Sequence, residues 1–97
     1  MGNTINLAIQ VLPTSGTADA YSLVDKAIEV IQRSGLRYRV CPFETVLEGD
    51  YDTVMQVVNE AQQSCFDGGA EELLVNIKIQ RRKDRDVHIE EKTGKYD

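Results

Sequence analysis

An α+β fold with the element order β-α-β-β-α-β is what the sequence predicts, from three observations. Residues 4–12 and 71–80 alternate apolar and polar side chains with a period of two, as strands with one buried face do. Two segments between them carry apolar residues at helical spacing. The middle of the chain, residues 35–49, reads as two short strands joined at a proline, with a glycine closing each end.

Taken in order, the first strand sets Ile5, Leu7, Ile9 and Val11 on one face and Asn6, Ala8, Gln10 and Leu12 on the other. Pro13-Thr14-Ser15-Gly16 is expected to break it. Thr17 or Ser15 is the expected cap of the first helix, with Asp19 in its first turn facing the positive end of the helix dipole. The inward stripe is Ala20, Leu23, Val24, Ala27, Ile28 and Ile31, and Gly35 suits the left-handed residue past the last turn. Leu36, Tyr38 and Val40 then alternate with Arg37, Arg39 and Cys41 up to Pro42, which cannot donate a ladder hydrogen bond. An extended pattern resumes over residues 44–48. Asp50 caps the second helix, Val54, Val57, Val58, Ala61 and Cys65 face inward, and Gly68-Gly69 ends it. The last strand turns Leu73, Val75, Ile77 and Ile79 inward and Leu74, Asn76, Lys78 and Gln80 outward. Residues 86–97 form a charged tail with room for one short helical turn.

Two right-handed crossovers sharing one antiparallel sheet give a ferredoxin-like βαββαβ sandwich, strand order 4-1-3-2, with both helices on one face. The whole chain, 1–97, reads as one such domain. The other sheet face is expected to present Asn6, Ala8, Gln10 and Leu12, Thr45 and Leu47, Arg37, Arg39 and Cys41, and Leu74, Asn76, Lys78 and Gln80. That mixture of amides, hydroxyl and aliphatic groups suits partial burial against another subunit, leaving polar pockets.

The totals fit this picture. Hydrophobic residues at 41% and charged residues at 28% describe a globular rather than a disordered chain. No basic n-region opens the sequence, and no run approaches the roughly 18 apolar residues of a membrane span, so a cytoplasmic protein without a membrane partner is expected. The two cysteines, Cys41 and Cys65, read as reduced and packed rather than paired. With one histidine, His88, and no Cys-x-x-Cys, a metal site is not expected. Charge is uneven. Residues 1–77 hold four basic against eleven acidic side chains, a balance of −7, whereas residues 78–85 hold five basic against one acidic, a balance of +4. The basic run reads as a solvated strand end, since the rest of the surface would repel phosphates.

The spacing Gly35, Leu36, Tyr38, Pro42, Thr45, Glu48 and Gly49 resembles the small thiamine-binding protein family related to YkoF. Val54-Met55, Ile77-Lys78-Ile79 before the basic run, and a first strand ending in Leu-Pro are similar to that family too. One departure stands out: Phe43-Glu44 replaces the Met-Gly or small residue the family often has between proline and threonine. The resemblance implies a ferredoxin-like subunit in a homo-oligomer, dimer or tetramer. It also implies binding of thiamine or its hydroxymethylpyrimidine part, without catalysis and without a cofactor.

An aminopyrimidine offers ring-nitrogen acceptors and an amine donor, so it wants a wall of both types, for which Gln10, Thr45 and Asn76 are suited. The thiazolium is cationic and favours an aromatic face and nearby carboxylates. Tyr21, Tyr38 and Phe43 are the candidate rings, with Tyr38 read first as core packing. Glu44 and Glu48 are the candidate carboxylates. The expected ligand set is Gln10, Tyr21, Thr45, Glu48 and Asn76. No catalytic residue is expected, because His88 sits in a charged tail and neither cysteine has a histidine near it in sequence. Three other readings compete. An RNA-binding sheet face would need aromatic residues on its central strands, which are missing. An acylphosphatase-like enzyme would need an arginine in the loop after the first strand. A regulatory or structural oligomer without a small ligand needs neither.

Overall fold

Four antiparallel strands form one sheet in the order β2-β3-β1-β4 in the computed structural model, which describes residues 3–16 and 19–96. The elements are β1 (Thr4–Gly16), α1 (Ala20–Arg33), β2 (Arg37–Val40), β3 (Thr45–Asp50), α2 (Tyr51–Asp67), β4 (Ala70–Gln80) and a short α3 (Glu90–Thr93) that continues as a 3₁₀ turn over Gly94–Tyr96. This is the ferredoxin-like α+β arrangement. Its core forms where the period-two strands meet the period-3.6 helices: Ile5, Leu7, Ile9 and Leu47 from the sheet against Leu23, Ala27, Ile31, Val54, Val58, Ala61 and Cys65. Burial holds the Cys65 thiol above its ordinary pKa.

Helix ends follow local chemistry. Asp50 caps α2 by accepting from the Thr53 amide at 3.2 Å. Gly35, with φ of 82°, takes the left-handed step after α1 that a side chain would resist. Asp19 is itself the cap of α1 rather than a first-turn residue, accepting from the Ser22 amide at 3.1 Å. The expected alternatives, Thr17 and the Ser15 side chain, lie outside the described residues.

Three expectations need correction. First, β1 does not stop at Leu12; it continues through Pro13 to Gly16 along β4, with register shifts near Ser15. Past Ile9 the strand has no β3 neighbour, so it is a sheet edge there, which is where proline is tolerated. Gly16 ends it at φ of 133°, and a Cβ at that position would lie 2.4 Å from the Gly69 carbonyl oxygen.

Second, β3 has the opposite parity on the sheet to that expected. Thr45 stands opposite Ile9 and Leu47 opposite Leu7, so both face the helices, and the open face receives Val46 and Glu48 opposite Ala8 and Asn6. Third, the edge strands are less buried than their apolar faces suggest. Tyr38 and Val40 on β2, and Ile77 and Ile79 on β4, point to the helix side but remain over a third exposed.

The tail supplies a further difference. After β4 the chain returns across the open sheet face, where Val87 is fully buried and Ile89 nearly so. The Val87 amide donates to the Thr4 carbonyl at 2.9 Å, and the Thr4 amide donates to Asp86 Oδ1 at 2.7 Å. One end of that face is therefore covered by the chain itself rather than left for another subunit.

Candidate ligand site

Two cavities flank the segment that joins β2 to β3. The smaller, about 250 Å³, opens between α1 and the sheet. Ile9, Val11 and Thr45 line it from the sheet, Val24, Ala27 and Ile28 from the helix, and Tyr21 and Phe43 stand at its mouth. Thr45 is buried because β3 parity turns it toward the helices, so its hydroxyl is one of the few polar groups, with Gln10 and Glu44, in a mostly apolar pocket. Tyr21 and Phe43 are more than four-fifths exposed, leaving both ring faces open to a ligand.

The larger cavity, about 780 Å³, lies on the open face between the sheet and the returning tail. Asn6, Ala8 and Val46 line it from the sheet, Ile89, Lys92 and Tyr96 from the tail, with Arg39 and Lys78 among its cationic groups. Glu44 borders both cavities and pairs with Lys78 at 3.2 Å. The Phe43-Glu44 departure thus puts a ring at one mouth and a carboxylate in an ion pair.

The five expected ligand residues do not converge. Tyr21 and Thr45 meet at the helix-side cavity, which Gln10 also borders. Gln10 and Asn76 form a cross-strand pair, Asn76 Nδ2 donating to Gln10 Oε1 at 3.1 Å. Glu48 lies at the other end of the open face beneath the tail. Its Oε1 accepts from Asn6 Nδ2 at 3.2 Å and from the Ile89 amide, so this carboxylate fastens the tail.

His88, read from the sequence as isolated, belongs to that same group. Its Nδ1 is 3.5 Å from Glu48 Oε2, and its Nε2 is 3.9 Å from Asp86 Oδ2. Arg37, reaching over from β2, lies 3.8 Å from Glu48 Oε2 and pairs closely with Glu90. The hydrogen bond from Arg37 holds the Glu90 carboxyl below its ordinary pKa. Glu91 is lowered by the His88 amide and then by Arg82. The basic run is also largely occupied: Lys78 pairs with Glu44, Arg82 with Glu91, and Arg81 sits 4.4 Å over the Tyr51 ring. The one sequence signal for the docked tail was Val87-x-Ile89, two apolar residues at strand spacing within a charged segment.

Fold and cavities together define a small ferredoxin-like domain with a mostly apolar pocket, rimmed by Tyr21 and Phe43, between helix and sheet. The family model described as thiamine-binding protein matches residues 7–97, and the chain belongs to that family. Among relatives, a UPF0045 protein of Clostridium perfringens is 36% identical over 94 residues, covering 97% of this chain and 98% of its own length. A solved structure of a domain of unknown function from Bacillus cereus superposes with a TM-score of 0.94 at 48% identity, covering 99% of this chain and 92% of that one. A Thermotoga maritima protein, provisionally assigned to thiamine biosynthesis or salvage, superposes with a TM-score of 0.86 at 28% identity over 97% of this chain and 99% of that one. The family name is that of a binding protein, and the role is thiamine-related. Among the described residues, no helix is long and apolar enough to cross a membrane.

Proposed function

We propose that this protein binds thiamine through its hydroxymethylpyrimidine half in the helix-side cavity, without transforming it, as a cytoplasmic homo-oligomer. The observation that carries this reading is the meeting of Tyr21 and Thr45, two of the expected ligand residues, at one cavity of a thiamine-binding family member. At about 250 Å³ the cavity falls just below the roughly 300–1,000 Å³ of most ligand pockets, so it suits one ring rather than two. The pyrimidine then lies against Ile9 and Val11 with Thr45 as its hydrogen-bonding partner. The cationic thiazolium emerges at the mouth, where Tyr21 and Phe43 offer ring faces and Glu44 a carboxylate.

Gln10 completes the polar wall, and Asn76 acts through it by holding the carboxamide oxygen. The part of the open face that the tail leaves bare includes exposed Leu12 and Leu74, which supports its being covered by a second copy.

Calorimetry with hydroxymethylpyrimidine, thiamine and thiamine monophosphate tests the proposal. Micromolar binding of the first two is expected. Thr45→Val should weaken both by roughly five- to tenfold, the worth of about 1 kcal/mol for one hydrogen bond. Replacing Tyr21 and Phe43 together by alanine should cost thiamine more than it costs the pyrimidine alone. No heat and no melting shift with any of the three would sink the reading.

A further inference from the structure

We propose that Glu48, His88 and Glu90 form a binding site for a divalent transition metal that ties the returning tail to the sheet. This site is separate from the helix-side cavity and does not depend on the thiamine reading. One ligand atom from each residue lies within 4.8 Å of the other two. An ion bound at about 2.1 Å by nitrogen and oxygen donors in a tetrahedron needs them about 3.4 Å apart. Glu48 Oε2 and His88 Nδ1 already stand at 3.5 Å. Only Glu90 has to close in, an exposed side chain on a short helix that would exchange its pairing with Arg37 for the metal.

Glu48 is buried, and its Oε1 is fixed by Asn6 and the Ile89 amide, which leaves Oε2 between the His88 imidazole at 3.5 Å and the Arg37 guanidinium at 3.8 Å. The far nitrogen of His88 faces the Asp86 carboxylate at 3.9 Å, the side from which ligating histidines are commonly oriented. One imidazole and two carboxylates favour zinc, manganese or cobalt over calcium or magnesium, and the exposed side leaves room for water to complete the shell.

A positive charge already serves this spot. Arg37 is paired with both Glu48 and Glu90, so a metal ion takes over the work of that guanidinium and must displace it. This gives the proposal a signature that an ordinary ion-pair cluster lacks: removing Arg37 should tighten metal binding.

The test is titration of the full chain with ZnCl₂ and MnCl₂, followed by calorimetry and, for manganese, by loss of the free-ion paramagnetic signal. A Cys41→Ser background removes thiolate binding at the half-buried cysteine. One equivalent per chain is expected, with affinity at least tenfold weaker in His88→Ala and in Glu90→Gln, and severalfold tighter in Arg37→Ala. Metal should also slow amide exchange at Val87 and Ile89. Since His88 and Glu90 are exposed, these variants should fold, and circular dichroism confirms it. No saturable binding below millimolar metal, unchanged affinity in His88→Ala, or weaker binding in Arg37→Ala would each overturn the proposal.

Discussion

Replacing Asn6 tests whether the tail is part of the folded unit or merely rests on it. Asn6 is buried, and its Nδ2 donates both to Glu48 Oε1 at 3.2 Å and to the Val87 carbonyl at 3.1 Å, while its Oδ1 accepts from Lys92 Nζ at 3.3 Å. Asn6→Ala removes a hydrogen bond to a charged group, about 1.5–3 kcal/mol, and one to a neutral carbonyl, about 0.5–1.5 kcal/mol. The expected loss is therefore about 2–4 kcal/mol, a large share of the roughly 5–15 kcal/mol available to such a domain. Urea denaturation reads this directly, and thermal unfolding should fall by about 10 °C or more.

Asn6→Asp sharpens the test. It keeps the shape but points a carboxylate at Glu48 and at a carbonyl oxygen, so at neutral pH it should cost more than alanine. Repulsion raises the folded-state pKa of the new carboxyl. Its penalty is then present above that pKa and disappears as pH falls below the unfolded value of about 3.9. A loss below about 0.5 kcal/mol for Asn6→Ala, with Asn6→Asp no worse at neutral pH, would refute the view that the tail is built into the fold.

Other expectations follow from the same geometry. Glu90 and Glu91 have lowered folded-state pKa values, so what they contribute is fully present above the unfolded carboxyl pKa and is lost as pH falls through the folded values. Limited proteolysis should find the tail cut more readily at acid pH, while amide exchange in the sheet core stays slow. Gly16→Ala puts a methyl against the Gly69 carbonyl and should lower stability by more than about 1 kcal/mol, measurable by urea denaturation. Cys65 is fully buried with its pKa raised, so at pH 8 a thiol reagent should label Cys41 promptly and Cys65 only on unfolding.

The helix stripes and both long strands were legible because their apolar positions have a clear period, although Ala20, expected inward, is exposed at the start of α1. Ile5, Leu7 and Ile9 could face only one way, and so could Val54, Val57, Val58, Ala61 and Cys65. β3 was ambiguous for a physical reason: Val46 and Leu47 are both apolar, so either parity buries something, and pairing with β1 decided it. That choice moved Thr45 from the open sheet face to the helix-side cavity. Pro13 looked like a stop because sequence does not show that β1 outruns β3 and becomes an edge. The tail was the least readable segment. Val87 and Ile89 are only two apolar residues among charges, and nothing local places His88 beside Glu48, forty positions earlier. Charge patterning predicts solvation, and here long-range packing outweighed it.

The placement of β1 between β3 and β4 has a consequence for how the chain is made. The strand synthesised first is one of the two inner strands, and its longer partner is the strand synthesised last. A nascent chain can complete the hairpin side early, yet one flank of β1 stays bare until residues 70–80 leave the ribosome. During that interval Leu7, Ile9 and Val11 are open to wrong pairing, so crowding by sister chains on one messenger is when this protein is most exposed to aggregation.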